Sequence, residues 1–255
     1  MIVVECAQGS DEWKAARAGC ITASMFSTIR AKVGMLDAKQ ATFVAAVRSG
    51  RTTAEACNIA GYKATPTAGS VQRAIDGLPV GDWSDKAKDY AFRLAIERIS
   101  GEPLDEGFET WAMKRGHHLE EDARIEHEAK TGLLVDLAGF VLTEDRKYGA
   151  SADGLINTDG GCEYKCLISP ERLRTILIDG DLSEYKDQIQ GCMWITGRSW
   201  WHFGLYCPAL KNINKAFWMR HIRRDDDYIE AMQADLIEFE KLVRSNEIFL
   251  RTEIE

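Results

Sequence analysis

The chain has no surplus of positive charge. Its 32 lysines and arginines stand against 40 aspartates and glutamates, for a formal net charge of -8 and a pI near 5.3. At face value that balance argues against a nucleic-acid partner. No long apolar run is present either, which argues against a membrane-spanning helix. The opening residues, MIVVECAQGSDEWK, hold neither a basic stretch nor an extended apolar one. No secretory signal is therefore expected, and a cytoplasmic location is. The seven cysteines (Cys6, Cys20, Cys57, Cys162, Cys166, Cys192, Cys207) form no CxxC pair and no disulfide-like rhythm, so they read as reduced thiols.

What is present is apolar material, 45% of 255 residues. That length supports one α/β domain with room for a small insert. Ser10-Asp11 begin a short helix that Gly19 ends, and Thr22 can cap Ala23–Arg30, so the first thirty residues read as two helices. Composition shifts over residues 37–81, toward small residues with few acids. Helical spacing there covers Lys39–Val47, Ala54–Ala60 and Ser70–Ile75. Helices resume at Ser84–Ile99 and Phe108–Thr131. Residues 133–143 suggest a strand or two, and further strands fit Gly149–Ile156, Gly161–Ile168, Trp200–Tyr206 and Ala216–Ile222. Helices fit Glu184–Ile195 and Asp226–Ile248. This order predicts a central mixed β-sheet flanked by helices, an α/β (α+β) fold with a small all-α insert. The division expected is 1–36 with 82–255 for the main domain and 37–81 for the insert.

Chemistry gathers at Ser151-Ala152-Asp153-Gly154 and Glu163-Tyr164-Lys165. On a strand, Glu163 and Lys165 point to one face, and Asp153 can join them across the turn at Asn157–Gly161. Two carboxylates and a lysine suit metal-assisted phosphodiester hydrolysis. Oxygen ligands hold Mg²⁺ or Mn²⁺, and the lysine can orient or deprotonate a water. The same spacing also fits a solvated strand face. Glu120, on the preceding helix, can deliver a third carboxylate or pair with Arg124 on an exposed surface. His117 and His118 read as exposed or locally bonded rather than as ligands. Tyr185 and Gln188 share a helix face that can meet a substrate backbone. Arg17 with the Thr22-Ala23-Ser24 helix start forms a candidate anion site, though capping explains Thr22 equally well.

Four segments in order, QGSDEWKAARAGCITAS (8–24), RGHHLEEDARIEHEAKTG (115–132), GASADGLINTDGGCEYKC (149–166) and YKDQIQGCMWITGRSWWHFGLYCP (185–208), resemble the phage lambda-type exonuclease family. This family comprises YqaJ-like viral recombinase nucleases with a PD-(D/E)xK, restriction-endonuclease-like core. The resemblance implies that Asp153 and Glu163 bind metal with the Tyr164 main-chain carbonyl, and that Lys165 is the motif lysine. By the same resemblance Glu120 serves a second ion, Arg17 and Ser24 with Thr22 hold a 5′-phosphate, and Tyr185 and Gln188 complete the site. Ala152 departs from the proline usual before the aspartate, which affects only the stiffness of the turn. The implied activity is Mg²⁺-dependent 5′-to-3′ digestion of one strand of double-stranded DNA from its ends, with two ions per site. It would leave 3′ overhangs for a single-strand annealing protein, and the implied assembly is a homotrimer. The alternatives are a PD-(D/E)xK endonuclease and a non-catalytic DNA-binding or packaging accessory protein.

The insert resembles a helix-turn-helix module of small phage DNA-packaging proteins. Over residues 38–75, Lys39, Arg48, Arg51, Lys63 and Arg73 face the single acid Glu55, a local +4. Arg48, Arg51, Lys63 and Arg73 are its candidate DNA contacts, and a purely structural decoration is the other reading. Charge is uneven elsewhere too. Residues 225–255 hold ten acids and three bases, so they account for -7 of the -8. The acidic balance therefore marks one C-terminal helix, expected on an outer surface or at a protein contact, and does not exclude DNA.

Overall fold

A computed structural model describes residues 1–104 and 111–252, and two compact units emerge: Met1–Arg30 with Asp89–Glu255, and Ala31–Lys88. In the larger unit the chain begins with β1 (Ile2–Val4), α1 (Asp11–Arg17), β2 (Ile21–Thr22), a 3-10 turn (Ala23–Met25) and α2 (Phe26–Arg30). The smaller unit holds β3 (Lys32–Val33), α3 (Ala38–Arg48), α4 (Thr53–Ala60), α5 (Gly69–Ile75) and β4 (Asp82–Trp83). Next come α6 (Asp85–Ser100), α7 (Trp111–Thr131), β5 (Phe140–Leu142), β6 (Tyr148–Ala150), β7 (Gly154–Ile156) and β8 (Gly160–Lys165). The chain closes with α8 (Pro170–Leu177), α9 (Ser183–Thr196), β9 (Trp200–Tyr206), a 3-10 turn (Pro208–Ile213), β10 (Phe217–Arg223) and α10 (Asp226–Thr252).

The larger unit is α/β, with two mixed four-stranded sheets ordered β1-β5-β6-β2 and β10-β9-β8-β7. Each contains one parallel pair, β2 with β6 and β8 with β9. β9 is the buried spine of the second sheet, with Trp201, Phe203 and Tyr206 almost fully enclosed. Its alternation sorts the two faces. His202 and Tyr206 turn toward α7, where Ala123, Cys162, Tyr164 and Phe217 complete an apolar cluster. Phe203 turns toward α9 and meets the Tyr185 ring, the centroids 4.9 Å apart.

Several elements differ from the sequence expectation. The first residues form β1, paired to β5, in addition to helices. The run Gly149–Ile156 is two strands, because Ser151–Asp153 leaves the sheet. Side chains meet its polar groups there: Gln8 donates to the Ala152 carbonyl at 2.8 Å and Trp13 Nε1 to Ser151 Oγ at 2.6 Å. β8 ends at Lys165 rather than Ile168, and an unforeseen α8 follows, started by Ser169 as N-cap with Pro170 in its first turn. Of residues 133–143 only Phe140–Leu142 is a strand, with one isolated bridge from Asp136 to Leu155. Thr22 precedes a 3-10 turn, but its side chain makes no cap bond. The expected helix start at Phe108 lies outside the described residues.

α10 is amphipathic rather than a free acidic surface. Ile229, Met232, Leu236, Phe239 and Val243 are buried, while Asp235 takes Arg30, and Glu240 and Glu247 take Arg98. Part of the acidic surplus is thus neutralised inside the unit.

The smaller unit is three helices with their own core. Phe43, Val44 and Ala46 of α3 pack against Ala56, Cys57 and Ala60 of α4 and Val71 and Ala74 of α5. Capping boxes start two of the helices, Asp37 with Gln40 for α3 and Thr52 with Glu55 for α4. Antiparallel pairing of β3 with β4 closes the unit, so its bounds extend beyond 37–81 on both sides.

Candidate active site

β8 is positioned by glycine. A Cβ on Gly160 would stand 2.0 Å from the Trp200 ring, and one on Gly161 would stand 2.3 Å from Trp201, so only glycine lets β8 lie against β9. From there the strand alternates. Cys162 and Tyr164 face the apolar cluster under α7, while Glu163 and Lys165 face α9. Antiparallel pairing sets Gly154 opposite Cys162, so Asp153, one step beyond, comes level with Glu163.

The polar ends converge there. Lys165 Nζ and Gln188 Nε2 both donate to Glu163 Oε1, each at 2.6 Å, and Gln188 Oε1 lies 3.4 Å from Lys165 Nζ. The Tyr164 backbone N–H donates to Asp153 Oδ2 at 2.6 Å. Burial foremost, then repulsion from Glu163 and Glu120, pushes the Asp153 carboxyl well above the usual carboxylate range. Burial alone would lower Lys165, but the charges of Glu163 and Asp153 outweigh it and hold its ammonium protonated.

α7 brings Glu120 by helical spacing. Ala123 and His127 are fully buried on the face that Glu120 shares, and Glu120 lines the same cleft as Asp153, Glu163 and Lys165. Arg115, one turn earlier, donates to the Cys166 carbonyl at 3.1 Å and ties this end of α7 to the end of β8. Arg124 pairs with Glu128 at 3.7 Å. His118 is exposed, and the side chain of His117 lies outside the described residues.

The donor chemistry here suits a divalent cation. Among the described residues no three His, Cys, Asp or Glu side chains cage an ion by themselves. Glu163 is only 3% exposed, yet its buried Oε2 has no hydrogen-bond partner among the described residues, beside an Asp153 whose charge is opposed by two neighbouring carboxylates. A hard cation between Asp153 and Glu163 would satisfy both, so the residues fit such an ion.

A pocket lined by basic and hydroxyl side chains opens off the same cleft, which has a volume of about 1310 Å³. Arg17 stacks its guanidinium 3.9 Å over the Trp13 ring at the end of α1. Thr22 Oγ1 lies 3.2 Å from Ser24 Oγ, and the Thr22 N–H donates to Tyr90 Oη at 3.1 Å. α6 fastens this segment further: the Gly19 N–H donates to Glu97 Oε2, and Arg98 Nε donates to the Gly19 carbonyl. The result is a fixed pair of hydroxyls with Lys14, Arg17 and Arg93 around them.

Arg17, Thr22, Ser24, Glu120, Asp153, Glu163, Tyr164, Lys165 and Gln188 thus line one cleft. Tyr185 does not. It is buried against Phe203 behind the site, with Lys165 Nζ 5.7 Å from its ring centre. Every residue lining the cleft belongs to the larger unit, whereas Arg48, Arg51, Lys63 and Arg73 belong to the smaller one. Sequence reasoning missed Trp13 and Arg93. Trp13 had a usable signal, standing one helical turn before Arg17. Arg93 had none, because only the tertiary fold brings α6 to the pocket.

No curated protein matches the chain. Among solved structures it is similar to an alkaline exonuclease, LHK-Exo, from Laribacter hongkongensis, with 24% identity over 95% of this chain and 96% of that one and a TM-score of 0.65. The same enzyme in complex with dAMP gives 0.66 at the same identity and coverage. A phage related exonuclease from Haemophilus somnus 129PT follows, with 14% identity over 92% and 96% of the two chains and a TM-score of 0.56. These likenesses show the fold. The family model for the YqaJ-like viral recombinase domain matches residues 60–199, more than half of the chain, and the protein belongs to that family.

Proposed function

We propose that this protein is a Mg²⁺-dependent 5′-to-3′ exonuclease of double-stranded DNA, acting in phage-type recombination and leaving 3′ overhangs. One observation carries the reading. The carboxylate–lysine cluster of Asp153, Glu163 and Lys165 and the cationic, hydroxyl-lined pocket of Arg17, Thr22 and Ser24 open into a single cleft. A phosphodiester at the first is then within reach of a terminal phosphate at the second, which selects ends over internal positions.

Asp153 and Glu163, with the Tyr164 carbonyl, would hold one ion and Glu120 a second. Mg²⁺, or Mn²⁺ in its place, would supply an activated water and offset charge on the phosphoryl oxygens. The chain's own groups do the positioning. Gln188 and Lys165 fix Glu163, and Lys165 keeps protons at Nζ to donate to the attacking water or to a phosphoryl oxygen. Arg17, locked on Trp13, presents its fork to a 5′-phosphate. Assembly as a homotrimer and delivery of the 3′ overhang to a single-strand annealing protein belong to the same proposal.

Digestion of linear duplexes labelled at the 5′ or 3′ end, with Mg²⁺ and with chelator, tests it. Early release of 5′ label as mononucleotide, only with metal, is expected. Cleavage of a covalently closed circle would select an endonuclease instead.

A further inference from the structure

The smaller unit, Ala31–Lys88, contributes no residue to the lining of the cleft, yet its charge is the opposite of the rest of the chain. It holds eight bases and five acids, a net +3, which leaves the larger unit at -11. Its acids are largely engaged. Asp37 and Glu55 serve the capping boxes of α3 and α4, Asp76 accepts from Gln72 Nε2, and Asp82 pairs with Lys88.

Four of its cations are not engaged in this way. Lys39, Arg48, Arg51 and Lys63 are exposed and have no ion-pair partner among the described residues. Arg48 ends α3 and Arg51 immediately precedes the N-cap of α4, so two guanidiniums share one corner. Lys63 follows α4, and α5 turns Val71 and Ala74 inward while exposing Gln72 and Arg73. A unit with a net charge of +3 that leaves Lys39, Arg48, Arg51 and Lys63 exposed and outside any ion pair among the described residues presents a positive surface potential to a polyanion.

We infer that Ala31–Lys88 is a second binding site, for the sugar-phosphate backbone of duplex DNA away from its ends. Arg48, Arg51 and Lys63 neutralise phosphates, and the exposed Arg73 of α5 adds a further guanidinium. Regularly spaced phosphates suit cations at the two ends of α4 better than an acidic protein surface does. Such a site holds the substrate while the cleft works at its end. The inference deepens the exonuclease reading but does not need hydrolysis to be tested.

The test uses the full chain in chelator and a fluorescent dumbbell duplex, closed by hairpins and so without ends. Anisotropy titrations at several salt concentrations compare wild type, Lys165→Ala and the triple variant Arg48→Ala/Arg51→Ala/Lys63→Ala. The three substituted side chains are exposed, so the fold is expected to hold, and circular dichroism checks it. Wild type and Lys165→Ala should bind alike. The triple variant should bind at least about 10-fold more weakly at low salt. Its log–log salt slope should be shallower by roughly 2.7, which is about 0.9 for each phosphate no longer neutralised. Its metal-dependent activity on a short saturating duplex should be unchanged. Unchanged affinity and slope, or no dumbbell binding by wild type, overturns the inference. Binding of an acidic polypeptide without binding of the dumbbell overturns it too and makes this a protein-docking surface. Failure of wild type to digest linear DNA would defeat the exonuclease reading while leaving this result standing.

Discussion

Gln188 on α9 donates its amide N–H to Glu163 on β8 at 2.6 Å, joining residues 25 apart in the chain. The carbonyl end of the same amide lies 3.4 Å from Lys165 Nζ, so one side chain orients both the carboxylate and the ammonium. Gln188→Ala should therefore lower kcat on linear duplex about 10–100-fold, as loss of a group orienting a metal ligand does, with little change in KM. Gln188→Glu should be worse, because it adds a carboxylate against Glu163. Steady-state kinetics with saturating Mg²⁺ check both.

Arg17 should set the preference for the 5′ end. A charge-assisted bond to phosphate contributes about 1.5–3 kcal/mol, so Arg17→Ala should cut the rate ratio of 5′-phosphorylated to 5′-hydroxyl duplex by about 10–100-fold. Arg17→Lys should restore only part of it, since a lysine keeps the charge but loses the planar stack on Trp13. An unchanged ratio in Arg17→Ala refutes the pocket.

Asp153 stores unfavourable electrostatics, because burial and two neighbouring carboxylates oppose its charge. Its folded pKa is raised, so above the ordinary carboxylate range it weakens the metal-free fold. Asp153→Asn keeps an acceptor for the Tyr164 N–H and removes the charge. The variant should be inactive yet melt higher than wild type in chelator, measured by calorimetry. Mg²⁺ should raise the melting temperature of wild type and leave the variant unmoved.

Gly161→Ala would press a Cβ into the Trp201 ring between two strands with no room to part. Overpacking of this kind costs about 1–3 kcal/mol. Urea unfolding should show that loss, and activity should fall with it because β8 carries Glu163 and Lys165.

His202 gives the fold an acid limit. Burial first, then repulsion from His127 and His221, lowers its pKa from 6.5 to about 4. Between those values the unfolded chain binds the proton and the folded one does not, so stability rises with pH across the window and is lost on acidification. The contribution is on the order of 2–3 kcal/mol. Urea midpoints from pH 4 to 7 should climb steeply in wild type and less in His202→Gln.

Much of the site was legible in the sequence because it obeys local rules. The i, i+2 spacing of Glu163 and Lys165 is a strand property, and the α9 spacing put Gln188 on a face that does reach the cleft. Ser10 marked a helix start that the structure keeps, and the helical spacing over Ala54–Ala60 falls within α4. What was not legible depends on tertiary partners. The break at Ser151–Asp153 exists because Gln8, Trp13 and the Tyr164 N–H meet its polar groups from elsewhere in the fold. Tyr185 has the right spacing but turns into the core against Phe203. Arg93 and Glu97 acquire meaning only when α6 meets the Gly19–Thr22 segment. Ser169-Pro170 was a readable start for α8, passed over because the apolar run before it extended the apparent strand.

The most direct test of the central claim is release of labelled mononucleotide from a 5′-labelled linear duplex with Mg²⁺. It compares wild type with the double variant Glu163→Ala/Lys165→Ala, with folding verified by circular dichroism. Rapid release by wild type and none by a folded double variant is the predicted result. Full activity in the double variant would contradict the account.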